Sequence, residues 1–302
     1  MNQAIQNQKN KIKSSDAVFN AGIDLLLIIC LLIVALPLIY ITSASFSSPS
    51  AVVSGKVWLL PVDFSLEGYK AVFKNSKILT GYGNTIFYTV VGTAVNVVFT
   101  VMAAYPISRK DMPGRNIFAF MFTFTMVFSG GLIPTYLLHM KLGTLNTRWM
   151  MILPTVIGVW NLMLARNYFQ NSVSPELLEA AQIDGCNDIQ YLIKVLLPLS
   201  KPILAVLVLF YAVEHWNAFF NAFIYLNDQK LMPLQVILRE ILVANQVDPS
   251  SILDPETMAA KEGLSDLLKY STILVANVPI WCLYPFVQKY FVKGVMVGAV
   301  KG

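Results

Sequence analysis

The chain has 302 residues, of which 56% are hydrophobic and only 13% charged, with a mean hydropathy of +0.61. Water-soluble domains carry about 25% charged residues, so this composition excludes that class and makes lipid the expected solvent. The net charge of +5 forms no basic stripe interleaved with aromatics, which argues against nucleic acid, and Cys30, Cys186 and Cys282 have no metal-like or disulfide-like spacing.

In chain order, residues 1–20 are polar, with Lys9, Lys11 and Lys13 ahead of an apolar run from Ala21 to Ala44. Ser43-Ala44-Ser45 resembles a signal cleavage site, but the run is long enough to span a bilayer, so an uncleaved first helix is expected. Asp24 then belongs at the interface. Residues 46–82, with Pro49, Gly55, Pro61 and Gly68, read as an extramembrane loop carrying short amphipathic pieces at Trp58-Leu59-Leu60 and Tyr69–Phe73. A second span covers Asn84–Ile107. The third runs from Ile117 to Leu138 and is interrupted by Ser129-Gly130-Gly131 and Pro134, and the fourth covers Trp149–Tyr168. After a polar interruption, Pro202–Leu226 makes a fifth span, residues 227–268 an acidic loop, and Tyr270–Phe291 a sixth, followed by a glycine-rich tail at 292–302.

The interruption is Ser174–Pro198. Ser174 suits an N-cap, Pro175 the first helical position and Glu176 the positive end of the dipole. Glu179-Ala180-Ala181 sits mid-helix, with the alanines offering a small packing face. Gly185 stops the helix by taking a left-handed backbone, and Asn187 or Asp188 can cap a second one. There Ile189, Leu192, Ile193 and Leu196 repeat at i, i+3, i+4 and i+7, an apolar stripe that Pro198 ends. By itself this reads as a helical hairpin at a membrane surface.

The expected fold is therefore all-α and membrane-integral, one domain over 1–302 with six transmembrane helices and both termini on one side. On the hairpin side lie Lys9, Lys11, Lys13, Arg109, Lys110, Arg115, Arg166, Lys194, Lys201, Lys289, Lys293 and Lys301, 12 of the 22 basic residues. The positive-inside rule assigns that side, with the N-tail 1–20, the hairpin 174–199 and the C-tail 292–302, to the cytoplasm, and the loop 227–268 to the outside.

The hairpin resembles the EAA loop of ABC importer permeases: Glu-Ala-Ala, three residues, Gly185, nine residues, then Val195-x-Leu197-Pro198, with Val195 for Ile the one departure. Other stretches are similar to the carbohydrate-importing, MalG-like branch and in particular to its LplC/YtcP-type group. They are Phe128–Tyr136, His215-Trp216-Asn217, and the ending Gln288–Val295. The resemblance implies a MetI-like permease fold in a bacterial inner membrane. It also implies a sister permease subunit, two cytoplasmic ATPase subunits, an extracytoplasmic solute-binding protein, and an oligosaccharide substrate, with uronate-containing or otherwise modified ones among the candidates. It makes Glu179, Ala180, Ala181, Asp184, Gly185 and Pro198 the ATPase-coupling set. No phosphate-binding G-x-x-x-x-G-K-[ST] loop exists in the chain, so ATP and magnesium are expected on the partner ATPases, no cofactor or metal is expected here, and this subunit is not expected to be an enzyme.

An acid within a span needs a partner or water, which singles out Glu214 as a pathway residue, with Trp216, Asn217 and Phe220 beside it and Asn96 and Asn161 as weaker candidates. Packing explains each of them too: Glu214 can pair with His215 or cap a broken helix, and asparagines bond between helices. Two other classes stay open on residues alone, an ion-coupled secondary transporter and a membrane scaffold. A secondary transporter is expected to carry internal repeats, and none is visible.

Overall fold

The computed structural model describes residues 2–244, 263, 265–282, 285 and 288. The middle of the acidic loop (245–262), the tail 292–302 and the Lys289–Val295 part of the ending motif lie outside them. Every regular element among the described residues is helical. The chain divides into two compact units, residues 1–74 with 244–275, and residues 75–243 with 276–302.

The first unit is led by α1 (Asn2–Ser45), of which Phe19–Ser45 is 27 residues of apolar helix. At a rise of about 1.5 Å per residue that is ~40 Å, enough to cross ~30 Å of hydrocarbon. From Ile23 to Ile39 its leucines and isoleucines are exposed, as lipid-facing side chains should be. The packing begins where the helix ends. Ser43, Ala44 and Ser45 are buried, with the Ser43 hydroxyl donating to the Leu59 carbonyl at 2.7 Å and Ser45 bonded to the Tyr69 hydroxyl at 2.8 Å. Two short helices follow, α2 (Pro49–Val53), whose N-terminus is capped by Ser48, and α3 (Glu67–Lys74). Ala44, Ala51, Val52, Val57 and Leu267 form the unit's core. The amphipathic piece around Trp58 and Leu60 is three-quarters exposed, whereas Val72 of α3 is buried.

The second unit is organised around α4 (Ser76–Ser108), 33 residues capped at its start by the Asn75 side chain. α5 (Arg115–Val127) and α6 (Leu132–Lys141) replace the expected third span. They meet at 110° across the Ser129–Gly131 break, where Gly131 has φ +83°. At ~20 Å and ~15 Å neither crosses a bilayer alone, so the run is a broken span or a re-entrant pair. The fourth expected span opens as 3-10 turns over residues 148–155 before α7 (Val159–Ser172).

The hairpin follows as α8 (Pro175–Ile183), α9 (Asp188–Tyr191), a π turn over Leu192–Leu196, and α10 (Leu197–Leu199). Pro198 sits within α10 rather than ending the helix; the chain turns by 84° after Leu199 into α11 (Lys201–Trp216). The expected fifth span is also divided, because α11 stops at Trp216 and α12 (Phe220–Tyr225) starts afresh. α13 (Leu234–Ala244) and the helical residues 265–282, here α14, complete the described chain. Among the described residues two helices are long and apolar enough to cross a membrane singly, and up to five if each bent pair counts as one span.

α4, α7 and α11 pack together. Between them the Thr100 and Tyr211 hydroxyls bond at 2.6 Å, and Tyr211 also accepts the Gly158 N–H at 3.0 Å. Buried hydroxyls in apolar surroundings need such partners.

Candidate functional site: the hairpin and its anchorage

The hairpin turn is built as its sequence predicts. Gly185 has φ +77°, the Cys186 N–H donates to the Ala181 carbonyl at 2.9 Å and the Gly185 N–H to Gln182 at 3.0 Å. That pair of bonds is the Schellman arrangement, which satisfies the last carbonyls of α8. Asn187 and Gln190 then form a reciprocal capping box, each side chain accepting the other's backbone N–H at 2.8 and 3.1 Å. Ser174 sits at the N-cap position with extended backbone, but its hydroxyl bonds the Glu176 carboxylate instead of a backbone N–H.

Two readings of the hairpin faces change. Ala180 is exposed and only Ala181 is buried, so the alanine pair is split between inside and outside. Helical positions one apart point about 100° apart, and here the rotation puts Ala181 on the core side and Ala180 on the open side. In the second helix Tyr191 and Leu196 are buried and Leu192 and Val195 pack beside them, whereas Ile189 and Ile193 are 68% and 58% exposed. The π turn widens the helix at Leu192–Leu196, and side chains there no longer follow the 3.6-residue wheel from which the stripe was read.

The inner face joins a core built from the end of α4 (Val101, Ala104, Tyr105, Ile107), from α7 (Leu162, Ala165, Phe169) and from the start of α11 (Ile203, Leu207). The outer face carries Glu179, Ala180, Asp184 and Gly185 together with Ile183, which is 86% exposed. Glu179 makes no ion pair with any described residue.

Charge pins this hairpin to α4 at a point that spacing did not reveal. The Arg109 guanidinium, just past the end of α4, pairs with both Asp188 and Asp111 and donates to the Tyr105 hydroxyl at 2.8 Å. The Tyr105 and Tyr191 rings lie 6.3 Å apart beneath it. From α7, Arg166 donates to the Ile107 carbonyl at 3.2 Å and Gln170 to that of Ser108 at 3.3 Å, which fixes the same end of α4. Arg109 entered the sequence analysis only as a topological charge and Asp188 only as a cap. They are 79 positions apart, and no local pattern links them.

Arg109 bonds hold the Asp111 carboxyl below its ordinary range, and hydrogen bonds to Asp111 hold the guanidinium above its own. A depressed carboxylate contributes above its unfolded value and loses that contribution as pH falls through the folded one. This half of the clamp is therefore intact at neutral pH and weakens only in acid. Both carboxylates are well exposed, so about 1 kcal/mol is the scale for the clamp. Arg109→Gln is accordingly expected to lower substrate-stimulated ATPase activity of the reconstituted complex about fivefold while the ATPases stay bound. Arg109→Lys should restore part of it, since an ammonium holds one carboxylate well but not the fork of two. Equal stimulation in wild type and Arg109→Gln would remove the clamp from the coupling route.

The proposed pathway residues separate. Asn96 is fully buried and donates to the Thr155 carbonyl at 2.9 Å, and Asn161 is also buried. Trp216 is buried, donates to the Ala276 carbonyl at 3.0 Å and lines an apolar cavity of about 600 Å³ walled mainly by residues of α4 and α11. Glu214, Asn217 and Phe220 are exposed at the far end of α11 from the hairpin. Glu214 does not pair with His215, which is buried against Gly92.

Residues 9–295 match the binding-protein-dependent transport system inner membrane components, and the chain belongs to that family. It is 42% identical over 274 residues to the polygalacturonan/rhamnogalacturonan transport system permease YtcP of Bacillus subtilis (strain 168), covering 90% of this chain and 94% of that one. It is 41% identical over 270 residues to protein LplC of the same organism, covering 89% and 90%. The crystal structure of a bacterial ABC transporter that imports the acidic polysaccharide alginate superposes with a TM-score of 0.83 at 38% identity, covering 92% of this chain and 98% of the matched one. The protein is thus a membrane-embedded, non-catalytic permease component of an ABC-type importer, which sets aside the secondary-transporter and scaffold alternatives.

Proposed function

We propose that this subunit moves an acidic oligosaccharide across the cytoplasmic membrane, alongside a sister permease, driven by two cytoplasmic ATPases and fed by an extracytoplasmic binding protein. The observation that carries the coupling role is the division of the hairpin. One face is locked into the core shared by α4, α7 and α11, and the other leaves Glu179, Asp184, Ile183 and Ile189 open to a partner. Closure of the ATPases moves the outer face, and the clamped inner face carries the motion into α4, switching the helices between two packings. Glu214, Asn217 and Phe220 line the route at the other end. What supports an acidic substrate is the chain's similarity to the polygalacturonan/rhamnogalacturonan permease and to the alginate importer.

ATP and magnesium act on the partner subunits. The hairpin and both termini lie in the cytoplasm. Cysteine placed at Gln229 is expected to react with an impermeant thiol reagent in intact cells, and at Asn187 only after permeabilisation; the reverse pattern overturns the orientation. Purification through a tag on this chain is expected to retain an ATPase subunit, and the complex in proteoliposomes, with the binding protein outside, should take up trigalacturonate only with ATP inside. Uptake without nucleotide, or without any ATPase in the preparation, would sink the reading.

A further inference from the structure

At the end of the second unit opposite the hairpin, Arg239 of α13 lies over two aromatic rings. Its guanidinium carbon is 5.0 Å from the Phe219 ring centre and 4.9 Å from that of Phe223, and the two rings are stacked on each other at 5.6 Å. Arg239 is exposed, and no described carboxylate pairs with it. Glu240 follows it in sequence, but adjacent helical positions do not face each other. One turn earlier on α13, Gln235 donates to the Asn217 side chain at 3.5 Å. Phe220 and Phe223 are 56% and 54% exposed beside them.

A cation placed on aromatic faces keeps its hydrogen-bonding edge free and its orientation fixed, at little entropic cost. A guanidinium that no described carboxylate holds presents a fork that matches a carboxylate in two bonds. The neighbouring amides of Asn217 and Gln235 suit hydroxyls, and the exposed phenyl rings suit the C–H face of a sugar. Together these are the parts that a sugar carboxylate and its ring need. We propose that Arg239, on its Phe219–Phe223 platform, binds the uronate carboxylate of the oligosaccharide as it enters the permease, with Asn217 and Gln235 beside it as hydroxyl partners. This rests on the acidic-oligosaccharide reading above and deepens it by naming the group that reads the charge.

The test uses the permease–ATPase complex in zwitterionic nanodiscs, without binding protein, and measures equilibrium binding of trigalacturonate and of its methyl ester, which has the same rings without the charge. Wild type is expected to bind the acid more tightly than the ester. Arg239→Gln should weaken binding of the acid about tenfold, the scale of one charge-assisted pair, and leave the ester unchanged. Arg239→Lys should fall between, since it keeps the charge and loses the fork. Equal loss for acid and ester in both variants assigns Arg239 to structure, and no loss in either removes it from the site; each result overturns the proposal. Disappearance of the Arg239→Gln effect in phosphatidylglycerol nanodiscs gives the guanidinium to lipid headgroups and overturns it as well. If wild type binds neither probe while ATP-driven uptake persists, this subsite fails and the importer reading stands; if ATP-driven uptake of trigalacturonate fails too, both fall.

Discussion

Gly185→Val is expected to leave the helices inserted and to abolish most of the coupling between substrate and ATP hydrolysis. A β-carbon at this position meets nothing within 4 Å, so crowding plays no part. What remains is the backbone: φ is +77°, and a residue with a β-carbon pays about 1–2 kcal/mol for the left-handed region. Relieving that strain means opening the Schellman turn and swinging α9 away from α8. Coupling between sites is typically worth ~1–3 kcal/mol, so strain of this size can consume most of it. The comparison that isolates the cause is Gly185→Asn, because asparagine enters the left-handed region more readily than other side chains. Substrate-stimulated ATPase activity in proteoliposomes should fall steeply in the valine variant and only slightly in the asparagine one. Glu179→Ala, which removes an exposed carboxylate without touching the turn, should lie between. Full stimulation in Gly185→Val would return this stretch to the status of a surface hairpin.

The second large effect falls inside the membrane. Gly92 of α4 lies flat against the imidazole of His215, and a β-carbon there would overlap three ring atoms. His215 is 3% exposed, so the ring has no open side to retreat into. Alanine is normally the better helix former by about 1 kcal/mol, yet here overpacking at about 1–3 kcal/mol opposes it and pushes α4 from α11. Gly92→Ala is therefore expected to lower the thermal midpoint and yield of the detergent-solubilised complex, and Gly92→Leu to do so more severely. His215→Ala in the same chain should return most of the stability to Gly92→Ala, because it removes the atoms that collide. A stable Gly92→Ala protein, or no rescue by His215→Ala, would mean that the contact does not hold the two helices at this spacing.

The sequence was most legible where physics is local. Gly185, Asn187 and the Glu179-Ala180-Ala181 spacing give the hairpin, since a left-handed glycine and a capping box depend on a handful of neighbouring residues. Apolar runs of bilayer length give α1 and α4, because lipid tolerates little else. Legibility failed wherever a residue's role depended on a distant one. Of the apolar stripe Ile189, Leu192, Ile193 and Leu196, only Leu192 and Leu196 join the core, with Tyr191 and Val195 beside them, while Ile189 and Ile193 stay exposed. Trp216 is buried against α14 while Glu214, two residues earlier, is exposed, a difference set by a contact 60 positions away.

Sequence alone therefore determined the solvent, the helical class, the two long spans and the hairpin turn, for each follows from hydropathy or from backbone preference within a few residues. Only the tertiary structure decided that Arg109 joins Asp188 and Asp111, that Gly92 exists to admit His215, and that Arg239 rests on Phe219 and Phe223. Those pairings bring together helices whose order in the chain carries no trace of their contact. A guanidinium or a glycine looks the same in sequence whether it faces water, lipid or a partner, and its meaning is set by what the fold places against it.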